Sequence, residues 1–66
     1  MGKLRIRELR KERGLTQEQL GKAVGIANNT ISQYETGALE PNIETIIKLC
    51  AFFNVSSDYL LGIKDF

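Results

Sequence analysis

The chain has no histidine and no tryptophan, and its 66 residues include one cysteine and one proline. Without histidine, and with Cys50 as the sole thiol, the common Cys/His zinc sites are excluded, as is an internal disulfide. No apolar run approaches the roughly 20 residues that a membrane span requires, and the charged first residues lead into no apolar signal core. There is also no nucleophile-and-base arrangement, no phosphate loop and no metal set, so an enzyme is not expected. The composition implies a single domain over residues 1–66, soluble and cytoplasmic, with no cofactor, metal, membrane or small-molecule ligand, and with no length left for a second domain.

A formal net charge of +1 hides a polarised chain. Up to Arg13, Lys3, Arg5, Arg7, Arg10, Lys11 and Arg13 are opposed only by Glu8 and Glu12. Beyond it, Lys22, Lys48 and Lys64 are outnumbered by Glu18, Glu35, Glu40, Glu44, Asp58 and Asp65. Such an asymmetry steers a polyanion better than the sum suggests, although a basic helix face is often no more than a solvated one.

Periodicity and punctuation predict five helices and no strand. The first runs from about Lys3 to Arg13 and stops at Gly14, with Ile6 and Leu9 inward and Leu15 just beyond it. At about 100° per residue, Lys3, Arg7, Arg10 and Lys11 share one arc of that helix and could follow a phosphate backbone. Thr16 to Gln19 reads as a capping box that fixes the start of the second helix, with Gln17 in its first turn. A first turn of this kind points N–H groups and a positive dipole end at any nearby phosphate.

From Gln17 to Tyr34 the apolar and small residues fall where two helices crossing at a tight turn need them. Leu20, Val24, Ile26, Ile31 and Tyr34 supply a shared core. Gly21 stands at the closest approach, and Gly25 stands where the chain must leave the helix at positive φ. The helix-turn-helix occupies about residues 16–36, its second member starting near Ala27 or Asn28 and ending at Gly37. With Ile31 and Tyr34 inward, Asn28, Asn29, Thr30, Ser32 and Gln33 are assigned outward. Amide side chains can bond adenine N6 and N7 together, and Thr or Ser can touch a base edge or a thymine methyl. Asn28 could instead serve only as the helix N-cap.

Pro41 and Asn42 open a fourth helix, to which Ile43, Ile46, Ile47, Leu49, Cys50 and Phe53 give apolar faces, with Cys50 read as a core residue. Asn54 ends it, Val55 packs inward, and Ser56 or Ser57 caps a short last helix through Leu61, closed by Gly62.

In its order and spacing this chain resembles the Cro/repressor-type (XRE) helix-turn-helix family of bacterial and phage regulators. The resemblance rests on Ile6 to Gln17, the helix pair to Tyr34, then Glu35, Gly37, Pro41 and the closing run Val55 to Gly62. It implies an all-α, compact five-helix, lambda-repressor-like domain that binds a near-palindromic operator in double-stranded DNA. It further implies a homodimer, with the third helix in the major groove and repression the expected outcome. Carried over by position, Asn28, Asn29 and Gln33 become the base readers, flanked by Ser32 and Thr30. Gln17, Lys3, Arg7, Lys11 and Thr36 become backbone contacts, and Arg10 with Glu35 becomes an ion pair between the first and third helices.

Two departures from the family pattern stand out. Ala38, Leu39 and Glu40 replace the Lys or Arg that many relatives place after Gly37, and Ala27 replaces a capping Ser or Thr. Lys3, Arg5, Arg7 or Lys11 could make up the missing cationic contacts. One recognition helix covers too few base pairs for useful discrimination, so two-fold pairing is expected. It is assigned to an apolar set of Leu39, Ser57, Leu61, Ile63 and Phe66, with Phe52 nearby. The competing reading is a protein-interaction module, antirepressor-like or antitoxin-like, whose amide-rich helix meets protein instead.

Overall fold

The computed structural model describes residues 4–63, in which five helices follow one another: α1 (Ile6–Glu12), α2 (Gln17–Val24), α3 (Asn28–Thr36), α4 (Ile43–Phe53) and α5 (Ser57–Leu60). The predicted boundaries hold wherever a local signal sets them. Thr16 Oγ1 accepts the Gln19 N–H at 3.0 Å, and the Gln19 amide oxygen accepts the Thr16 N–H at 2.9 Å, which completes the capping box of α2. Asn42 caps α4 through the Thr45 N–H, and of the two serines considered it is Ser56 that caps α5, through the Tyr59 N–H. Asn54 closes α4 in the left-handed region, at φ 57°.

The largest departure from the expected boundaries is at the start of α1, which begins at Ile6 with Arg5 as its N-cap residue and no side-chain cap, while α1 and α5 each end one residue early, with Arg13 and Leu61 as their C-cap residues. The Arg5 N–H donates to the Leu60 carbonyl at 3.0 Å, which draws the entering chain to α5 and out of the helix. Lys3 lies outside the described residues.

A core of Ile6, Leu9, Leu20, Ile31, Tyr34, Leu49, Phe53 and Leu60 draws on every helix. Val24, Ile26, Ile46, Cys50, Phe52, Val55 and Tyr59 close around it. Leu15 is half-buried at its edge. Cys50 is half-buried, and burial pushes its thiol pKa up, away from the reactive thiolate that a redox switch needs. The apolar faces of α4 are not all buried: Ile43 and Ile47 face outward. Eight apolar residues in an 11-residue helix cover more arc than one buried face can take.

Gly21 is buried where α2 meets the turn, and a Cβ built on it would run into the carbonyl oxygen of Ile26. At Gly25 the backbone adopts φ 74°, and the Ile26 N–H returns to the Gly21 carbonyl at 2.8 Å. A missing side chain and a left-handed residue together let α3 leave α2 at a fixed angle.

Candidate nucleic-acid interface

Helix α3 is built with two unlike sides. Ile31, Tyr34 and Glu35 are buried, while Asn28, Asn29, Gln33 and Thr36 are exposed. At about 100° per residue, Asn29, Gln33 and Thr36 form one row and Asn28 lies on its flank. Thr30 and Ser32, assigned outward from the sequence, are only half-buried and edge this row. They lie on opposite sides of the row, and their partial burial leaves the exposed Asn29 and Gln33 as its leading groups. Asn28 is not the cap: Ala27 holds the N-cap position without a side-chain bond, and Asn28 is the first helical residue. The Thr36 hydroxyl donates to the Gln33 carbonyl at 3.2 Å and stays exposed.

Below the row lies the ion pair that the resemblance implies. Arg10 of α1 donates from Nε to Glu35 Oε2 at 2.7 Å and from Nη2 to Oε1 at 3.1 Å, with side-chain exposures of 11% and 4%. Its Nη1 donates to the Leu15 carbonyl at 2.8 Å, so one guanidinium ties together α1, the loop before α2, and α3. Gln17 of α2 adds a third donor, Nε2 to Glu35 Oε1 at 3.1 Å. Burial pushes the Glu35 pKa up. Hydrogen bonds from Arg10 and Gln17, with the charges of Arg10 and Arg7, outweigh that and hold it below its ordinary value. No buried side-chain polar atom among the described residues lacks a partner.

The five described cations near the N-terminus therefore divide. Arg10 is structural. Arg5 donates from Nε to the Tyr59 carbonyl at 2.9 Å and lies 4.7 Å from the centroid of the Tyr59 ring. Arg13 donates to the Phe53 carbonyl at 3.0 Å and stacks over the rings of Phe52 and Phe53 at 5.3 and 5.5 Å. The idea that Arg5 could reach a phosphate is corrected by these contacts, which turn it toward α5. Arg7 and Lys11 are exposed on the side of α1 that flanks Arg10, and Arg7 is near enough to Glu35 for its charge to act there. The anchoring of Arg5 and Arg13 was invisible in sequence because their partners lie 54 and 40 residues away.

Of the apolar set expected for pairing, Leu39, Ser57 and Ile63 are exposed, Leu61 and Phe52 are half-buried, and Phe66 lies outside the described residues. The sequence reading missed Ile43 and Ile47, which are more exposed than Leu39. The width of the α4 apolar arc was the available signal. Among the described residues no group of three or more His, Cys, Asp or Glu side chains could hold a metal ion, and no helix is long and apolar enough to cross a membrane.

A family model described as helix-turn-helix matches residues 6–60. The HTH-type transcriptional regulator ImmR of Bacillus subtilis (strain 168) is 43% identical over 61 residues, covering 92% of this chain and 47% of that protein. Repressor protein C2 of Salmonella phage P22 is 46% identical over 57 residues, covering 86% of this chain and 26% of its own. In three dimensions the chain is similar to the P22 c2 repressor crystallised with a synthetic operator. The TM-score is 0.84 at 43% identity, over 91% of each chain. It is also similar to a transcriptional regulator from Listeria innocua, with a TM-score of 0.80 at 33% identity over 86% of this chain and 53% of that one. The chain spans about half the length, or less, of the curated relatives it matches.

Proposed function

This chain belongs to the Cro/repressor-type (XRE) helix-turn-helix family of DNA-binding transcriptional regulators, and from that membership we propose that it represses transcription in the cytoplasm by binding a near-palindromic operator as a dimer. The observation that carries the proposal is the exposed row on α3, in which Asn29 and Gln33 stand on a helix otherwise anchored by Ile31, Tyr34 and Glu35. Surface helices without a partner favour Glu, Lys and Ala, whereas uncharged amides suit bidentate contact with base edges in the major groove. In this reading Asn28, Asn29 and Gln33 read bases, with Thr30 and Ser32 at the margin of the contact. The start of α2 with Gln17, and Arg7, Lys11, Thr36 and Lys3, hold the phosphates on either side.

The division of the cations gives a test. Binding to an operator selected from a random pool is expected to weaken steeply with salt, and Arg7→Ala or Lys11→Ala each lowers the log–log slope by about 0.9. Arg5→Ala and Arg13→Ala leave the slope unchanged and lower the unfolding midpoint instead, because their guanidinium groups are engaged with α5 and α4. Fluorescence anisotropy across a salt series reads the first effect and thermal unfolding the second.

Specificity is tested separately. Asn29→Ala and Gln33→Ala are expected to weaken operator binding by about 1–3 kcal/mol each and to relax base preference at one position per half-site. Stability should barely change, since both side chains are exposed. Sequence-blind binding by the unaltered protein, with neither substitution changing it, rejects the proposal in favour of a protein-interaction module.

A further inference from the structure

Ile43 and Ile47 stand one turn apart on α4 and are 75% and 61% exposed; Leu39, 45% exposed, lies in the loop leading to that helix. The half-buried Ile46 and Cys50 continue the strip toward the core. Large apolar side chains grouped in this way mark an interaction surface. Beside the strip, again one turn apart and exposed, stand Glu44 and Lys48, and neither takes part in the ion pairs of the described residues. The first turn of α4 thus presents Ile43 with an acid, and the second presents Ile47 with a base.

That pattern is self-complementary under two-fold rotation. Two such helices laid antiparallel bring Ile43 of each copy onto Ile47 of the other and set Glu44 of each against Lys48 of the other. Parallel packing about a two-fold along the helix axes would put the Glu44 and Lys48 flanks of the two copies on opposite faces of the seam, where neither pair can form. We propose that α4 is the self-association surface of this chain, packing antiparallel on α4 of a second copy through Ile43 and Ile47, with Leu39 at its margin. The inference rests on the proposed two-fold pairing and gives it a surface apart from the C-terminal one formed by Ser57, Leu61 and Ile63. One short helix buries far less than the roughly 800 Å² per partner of a stable interface, so the free dimer is weak and forms at high protein concentration.

Sedimentation equilibrium of the 66-residue chain without DNA, up to about 1 mM, tests this. A reversible monomer–dimer equilibrium is expected. Glu44→Lys or Lys48→Glu alone weakens it by about tenfold, and the two together return it to within about threefold of the starting value. Ile47→Asp weakens it by about 100-fold or more. All three substituted side chains are exposed, so circular dichroism is expected to report native melting for each variant. A monomer at every concentration overturns the proposal, and so does a dimer indifferent to the charge reversals or not restored by combining them. Operator binding is measured separately on the same proteins. Loss of the DNA reading with the dimer intact leaves the α4 contact standing, and the reverse result removes the contact alone.

Discussion

Replacing Gly21 with alanine is expected to lower the thermal unfolding midpoint by about 12–24 °C. This follows from a cost of about 3 kcal/mol, the upper part of the usual range for overpacking, at about 4–8 °C per kcal/mol for a domain of this size. The atom in the way is the Ile26 carbonyl oxygen, part of the backbone, so no rotamer change relieves the contact. The turn cannot readily shift, because the Ile26 N–H is bonded to the Gly21 carbonyl and Ile31 and Leu20 are fully buried on either side. Gly25→Ala is the informative comparison. A Cβ there meets nothing within 4 Å, so its cost is the left-handed backbone alone, about 1–2 kcal/mol, and Gly25→Asn should cost less. Scanning calorimetry of the three variants gives the order, and a Gly21→Ala protein as stable as Gly25→Ala would show that helix approach is not what the residue protects.

Gly21 also illustrates what the sequence makes legible. A glycine inside a strong helical pattern, with Leu20, Val24 and Ile26 around it, has a close approach as its simplest cause, and the backbone meets there. Thr16 with Gln19, Asn42 and Gly37 were readable for the same reason: each acts on backbone groups within a few residues of itself. The amide row on α3 was readable because burial of Ile31 and Tyr34 fixes the helix phase. Legibility stopped where partners are distant in the chain. The start of α1 is set by a bond from Arg5 to Leu60, and Arg13 is spent on the end of α4; no local pattern records either. On α4 the difficulty was excess: Ile43, Ile46, Ile47, Leu49, Cys50 and Phe53 offer several inward phases, and only packing against the other helices selects the one that buries Leu49 and Phe53. The third donor to Glu35 is an intermediate case, since the family resemblance gave Arg10 as its partner and gave Gln17 as a phosphate contact that also braces the start of the recognition helix, without pointing to Glu35 as the group it bonds.

Arg10→Met is expected to destabilise the domain by about 3–5 kcal/mol at neutral pH, because it strips the cation and two of three donors from a buried carboxylate. For a chain of this length, total stability at the usual ~0.05–0.15 kcal/mol per residue is of the same order, so much of the population unfolds. Combining Arg10→Met with Glu35→Leu should recover most of the loss, since the penalty belongs to the stranded charge rather than to the missing pair. The pH dependence separates these causes. In the native protein Glu35 is held below its ordinary value, so its contribution is complete above about pH 4.3, the unfolded value, and fades as pH falls through the lower, folded one. In Arg10→Met burial prevails over the single Gln17 hydrogen bond and the Arg7 charge, and the folded pKa moves above the unfolded value. The variant then regains stability as acid neutralises the carboxylate, while the unaltered protein loses it, so their denaturation free energies converge between pH 7 and pH 3. A difference that stays constant over that interval would mean that Arg10 acts through packing of its side chain, and that Glu35 is not the charge on which the seating of α3 depends.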